Sequence, residues 1–125
     1  MEIPSLHTDV TDSILRCAVA VHKELGPGLA EYAYQKSLEL ELSAAGISYV
    51  ADRLIAVRYR NVIVAWHKPD VIVEDKVVVE LKATNIDPVH AKQILTYLRI
   101  TGLRVGLLLN FNVASMTQGI KRYQL

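Results

Sequence analysis

Residues 47–83 place the tightest constraint on this chain, because there the hydrophobic period changes to two and then to unbroken β-branched runs. The runs cover 47–50, 54–59, 62–66, 71–73 and 77–81, and they predict a meander of antiparallel strands. Helical spacing surrounds them. Over residues 9–25, Ile14, Ala18, Val21 and Leu25 fall four, three and four apart, with Asp9 or Thr11 as the cap. Gly26-Pro27-Gly28 breaks the chain, and a second helix runs from about Leu29 to Ala45, with Leu38, Leu42 and Ala45 on one stripe and Gly46 just past its end. Asp87-Pro88 starts a third helix, which continues through Ile94, Leu95 and Leu98 to Gly102. A buried strand at 103–109 and a short edge strand at 120–125 complete the order ααβββ(β)αβ(β), an α/β fold with a mixed β-sheet flanked by helices.

No repeat, low-complexity tract or linker divides the 125 residues, so residues 1–125 are read as one domain. A chain of this size, 51% hydrophobic, buries roughly two-thirds of its unfolded surface and needs no disulfide or structural metal. Its single cysteine, in the run Cys17-Ala18-Val19-Ala20-Val21, reads as a small buried hydrophobe in a reducing compartment rather than a catalytic thiol. Met1-Glu2-Ile3-Pro4 lacks a leader's basic region, and no stretch approaches the ~18 apolar residues of a membrane span, so the expected setting is soluble and cytoplasmic. A net charge of +1 gives no global basic field, and any nucleic-acid contact must rest on a local patch.

Charges interrupt the Val-rich strands in one place, at Pro69-Asp70 and then Glu80-Leu81-Lys82. The strands carrying them must form a hairpin. If its loop is Glu74-Asp75-Lys76, Val73 pairs with Val77 and Asp70 falls opposite Glu80, with Lys82 on their face. The other face then reads Val71, Val73, Val77, Val79 and Leu81, all apolar; a two-residue loop would mix polar with apolar on both faces. Opposed carboxylates have Cβ atoms about 5 Å apart and repel unless a cation lies between them. Two carboxylates with a nearby backbone carbonyl suit magnesium or manganese rather than zinc. The competing reading is an exposed Glu80–Lys82 ion pair on an edge strand. Two further pairs bear on the choice: Gln93 and Tyr97, four apart on the third helix, and Glu31 and Tyr34, three apart on the second, each put a polar group beside a phenol.

Taken together, Pro69-Asp70 and Glu80-x-Lys82 resemble the PD-(D/E)xK nuclease pattern. The stretch Gly28-Leu29-Ala30-Glu31-Tyr32-Ala33-Tyr34 resembles the signature of the GxxExxY family of that superfamily, as does its lead-in 21–28, and Gln93-x-x-x-Tyr97 is similar to the helix motif of the exonuclease-like branches. The resemblance covers residues 12–125 and implies a restriction-endonuclease-like core in the order ααβββαβ.

It further implies a Mg2+-dependent (or Mn2+-dependent) nuclease that hydrolyses phosphodiester bonds of DNA to a 5′-phosphate and a 3′-hydroxyl. Asp70, Glu80 and the carbonyl of Leu81 would hold the metal, with Glu31 as an additional carboxylate. Lys82 would orient the attacking water or stabilise the developing charge. Gln93 would contact the metal's waters or the substrate, and Tyr97 would buttress the site or touch the sugar-phosphate backbone. His22 is either a partner to one carboxylate or a histidine satisfied within the fold; His67 and Lys68 carry no assigned role. Arg53, Arg58, Arg60, Lys92 and Arg99 are candidate phosphate contacts or solvated charges. A homodimer or protein partner would add substrate grip. The alternative is a nucleic-acid-binding or assembly module with this fold and no turnover of its own. Phosphate-binding loops, Cys/His metal spacing and a His-Glu-x-x-His helix are absent.

Overall fold

The computed structural model describes residues 4–125; the leader reading at residues 1–3 lies outside them. Helix α1 (Thr8–Leu25) buries Val10, Ile14, Ala18 and Val21 along one stripe, with Cys17 beside them. Its cap is neither Asp9 nor Thr11. The cap is His7, left-handed at φ 56° and without a side-chain cap bond, which leaves Asp9 and Thr11 in the first turn. The strand at the far end of the chain sets this entry: Gln124 accepts the Leu6 N–H and Arg122 donates to the Leu6 carbonyl. Helix α2 (Glu31–Ala44) buries Tyr34, Gln35, Leu38 and Leu42. Ala45, expected on that stripe, is instead the exposed cap residue, because the helix ends at Ala44 and Gly46 turns the chain at φ 71°.

The strands are β1 (Tyr49–Ala51), β2 (Ile55–Tyr59), β3 (Val62–His67), β4 (Val71–Val73), β5 (Val77–Lys82), β6 (Val105–Asn110) and β7 (Ile120–Gln124). They do not form one meander. β1 pairs directly with β4, Tyr49 opposite Val73, while β2 and β3 leave the sheet as a separate two-stranded arm. That arm closes on itself through Arg60 and Asn61, both at positive φ (50° and 66°), the geometry of a tight two-residue hairpin turn. The main sheet runs β1-β4-β5-β6-β7, antiparallel except for β5–β6. Helix α3 (Pro88–Thr101) makes the crossover that a parallel pair requires. Its start is as expected: Asp87 accepts the Val89 N–H, His90 accepts the Asp87 N–H, and Pro88 opens the first turn.

Side-chain parity divides the core. Val71, Val73, Val77, Val79 and Leu81 face α1 and α2, whereas Ile72, Val78 and Leu108 meet Ile94, Tyr97 and Leu98 of α3. Gly106 allows that approach, since a Cβ there would lie 2.7 Å from the Ile94 side chain. At the end of the sheet where Asp70 and Glu80 stand, Glu80 is buried at 3% exposure and Asp70 is half-buried.

Candidate active site

The hairpin between β4 and β5 has the odd loop that parity demands. Val73 pairs with Val77 across Glu74-Asp75-Lys76, and the ladder's last pair is Val71 with Val79. One step further the backbones part, because Pro69 has no N–H with which to continue the ladder. Two carboxylates enter the gap. The Asp70 N–H donates to Glu80 Oε1 at 2.8 Å, and the Leu81 N–H donates to Asp70 Oδ2 at 2.9 Å. Each acid is held by the opposite strand's backbone through one oxygen, and among the described residues its other oxygen accepts no hydrogen bond. The Leu81 carbonyl leaves the strand on the same side as its N–H, so it is also directed beyond the last pair.

The site's electrostatics are those of acids short of a cation. Burial pushes the Glu80 carboxyl up to about 8, and the charge of Asp70 adds to the rise. Asp70 is raised by burial as well, against the lowering pull of the Leu81 N–H and of Lys82. Glu31, the first residue of α2, is raised by burial, lowered by Lys82 and raised again by Asp70. Lys82 therefore acts on all three acids, yet the only direct ion pair among the described residues is Lys36–Glu39. The lysine is left free for another anion.

Gln93 and Tyr97 reach this end of the sheet from α3. Gln93 Nε2 donates to the Tyr97 hydroxyl at 3.0 Å, and burial followed by the charge of Glu80 raises the phenol. Tyr97 is nevertheless part of the apolar α3 layer, and its ring stands edge-on to His67 at 5.7 Å.

Tyr34 and His22 stand apart from the acids. Tyr34 is fully buried, stacks on Phe111 at 4.5 Å, and its hydroxyl donates to the Gly26 carbonyl while accepting the Leu29 N–H. It locks the Gly26-Pro27-Gly28 corner that aims α2, and so places Glu31 without touching the acids. His22 reaches the Val113 carbonyl at 2.8 Å and satisfies the fold rather than a carboxylate. Cys17 is buried, and burial raises its thiol, as an inert hydrophobe requires.

Gln35 and Asp52 were missed by the sequence reading. Gln35 Nε2 donates to the Asp70 carbonyl and to Asp52 Oδ1, both at 3.2 Å, and the Asp52 N–H donates to the same carbonyl at 3.0 Å. The available signal was Gln35 four residues after Glu31, a polar side chain entering the buried stripe of α2.

No three His, Cys, Asp or Glu side chains among the described residues are grouped to hold an ion by themselves. Two carboxylates, each with one oxygen uncommitted, and a strand carbonyl still match the chemistry of magnesium, which keeps several waters and takes one or two protein carboxylates. The donor set fits such an ion. Comparison with curated proteins and with solved structures gives no match. The family model described as the PD-(D/E)XK nuclease superfamily matches residues 8–123, from the first residue of α1 to within β7, and the chain belongs to that superfamily.

Proposed function

We propose that this chain is a magnesium-dependent nuclease of the GxxExxY branch that hydrolyses phosphodiester bonds of DNA. The observation that carries this reading is the reciprocal clasp of Asp70 and Glu80 where β4 and β5 part, with Lys82 acting on both acids and making no ion pair among the described residues. Asp70, Glu80 and the Leu81 carbonyl would hold the ion, and Glu31 would take its waters. A bound divalent ion lowers the pKa of a coordinated water and offsets phosphate charge. Lys82 supplies the positive charge that meets the phosphate as negative charge develops, or orients the attacking water. Gln93, bonded to the Tyr97 hydroxyl, would contact the metal's waters or the substrate.

A second reading, a nucleic-acid-binding or assembly module without turnover, draws on Glu80: at about 8 its carboxyl keeps its proton at neutral pH until a cation displaces it. Labelled single-stranded, duplex and branched DNA, with RNA controls, incubated with Mg2+ or Mn2+ at pH 8, tests both. Cleavage by wild type that falls at least about 100-fold in Asp70→Asn and Lys82→Ala supports the nuclease. Equal cleavage by all three proteins refutes the assigned site. Binding that survives chelation, with no cleavage in either metal, favours the second reading.

A further inference from the structure

The β2–β3 arm has no part in the chemistry above, and its composition is unlike that of the remaining chain. Residues 53–69 carry Arg53, Arg58, Arg60 and Lys68 and no carboxylate, leaving 10 Lys+Arg against all 13 Asp+Glu elsewhere. All four cations are exposed. The arm's surface is apolar and open: Val62, Val64 and Trp66 of β3 are 62%, 59% and 58% exposed and Tyr59, opposite Val62, is 64% exposed, and the register shift between Val57 and Arg58 puts Trp66 on the face of Ala56 and Arg58 while Tyr59 and Val62 take the other. Arg60 lies over the Tyr59 ring at 5.5 Å, at a left-handed tip position that glycine or asparagine would occupy with less strain. The face opposite Trp66 is covered at the base of the arm, where Ile55 packs into the α3 layer and His67, its pair, meets Tyr97.

The arm leads straight into the acids. Trp66 precedes Asp70 by four residues, which bounds their separation at roughly 14 Å. An exposed indole beside arginines that make no ion pair among the described residues matches the demands of an unpaired nucleic-acid strand, whose bases stack on π-faces while its phosphates need cations. A duplex hides its base faces in the stack and offers only phosphates, sugars and the base edges in its grooves.

We propose that the β2–β3 arm is a single-strand grip: Trp66 stacks an unpaired base of DNA, and Arg58 on the same face, with Arg60 at the tip, holds the adjoining phosphates, delivering the strand to Asp70 and Glu80. The substrate class that follows is single-stranded DNA, or the unpaired flap of a branched one, a specification that rests on the nuclease reading of the acids.

Trp66 is the only tryptophan, so its fluorescence reports stacking directly. The binding test uses the Asp70→Asn chain in EDTA, where no cleavage intervenes. An oligothymidylate of about 15 nucleotides should quench Trp66 saturably, and a duplex of the same length should bind at least about tenfold more weakly. The double substitution Arg58→Ser/Arg60→Ser should weaken binding about tenfold and reduce the slope of log affinity against log salt by about 1.4. Trp66→Ala, followed by anisotropy of a labelled oligonucleotide, should lose a similar factor with an unchanged melting temperature.

Absence of quenching, or equal affinity for duplex, overturns the grip. So does a concentration-dependent dimer in sedimentation that Trp66→Ala abolishes and the oligonucleotide leaves intact, since the face would then serve a second copy of the chain. Quenching without cleavage by the wild-type chain in Mn2+ leaves the grip standing and removes the nuclease reading. Cleavage of single strand and duplex at rates unaffected by Trp66→Ala does the reverse.

Discussion

Glu80→Gln isolates the electrostatic load of the metal-free site. The amide keeps an oxygen to accept the Asp70 N–H and removes the ionisable group. In the folded chain the Glu80 carboxyl rises from 4.5 to about 8, so between those values the native state holds a proton that the unfolded chain releases. Stability from this group is fully present below pH 4.5 and is lost as pH rises through 8. At about 1.4 kcal/mol per pH unit the whole rise is worth at most about 5 kcal/mol; water entering beside the half-buried Asp70 screens part of it, so about 2 kcal/mol is expected. For a chain of this size that corresponds to a melting-temperature difference of about 8 °C. The assay is urea unfolding by far-ultraviolet circular dichroism from pH 5 to 9 in EDTA. Wild type and Glu80→Gln should coincide near pH 5, and the variant should be about 2 kcal/mol the more stable at pH 9. Parallel curves across that range would refute the reasoning, because Glu80 would then titrate alike in both states.

Three further outcomes follow from the same structure. Because the Glu80 proton must leave before a cation binds, manganese titrations by calorimetry at pH 7 in buffers of different ionisation heat should show release of close to one proton; none would mean that Glu80 is not a ligand. Tyr34→Phe removes the hydroxyl bridging the Gly26 carbonyl and the Leu29 N–H and should cost about 1–3 kcal/mol in urea unfolding; turnover lost with unchanged stability would place Tyr34 in the chemistry instead. Gly119→Ala puts a Cβ 2.0 Å from the Asn110 carbonyl oxygen and should destabilise by about 2 kcal/mol or more, read by the same method, whereas a neutral effect would mean that the backbone before β7 shifts freely.

Legibility in the sequence followed sequence distance. The β4–β5 register could be read because a three-residue loop and a two-residue period leave one arrangement that keeps Val71, Val73, Val77 and Val79 on a single apolar face. The α3 start was equally local, set by Asp87 and Pro88. Pairing of β1 with β4 was not readable, since Tyr49 and Val73 meet across the intervening arm and nothing in either strand names its partner. The hydrophobic period reports which residues share a face, not what covers that face. Glu31 and Tyr34 therefore looked alike as a polar pair, yet one lies within the field of Lys82 and Asp70 while the other locks a corner beneath Phe111. Gln35 and Asp52 escaped notice because their target is a backbone carbonyl, which leaves no mark in a motif.

Manganese binding at pH 8, followed by the loss of free-ion paramagnetic resonance signal, tests most directly whether Asp70 and Glu80 share a cation. Wild type should bind the ion saturably and gain several degrees of melting temperature as its concentration rises, while Asp70→Asn should do neither and be the more stable protein without metal. Equal binding by wild type and Asp70→Asn, or no binding by either, would contradict the account.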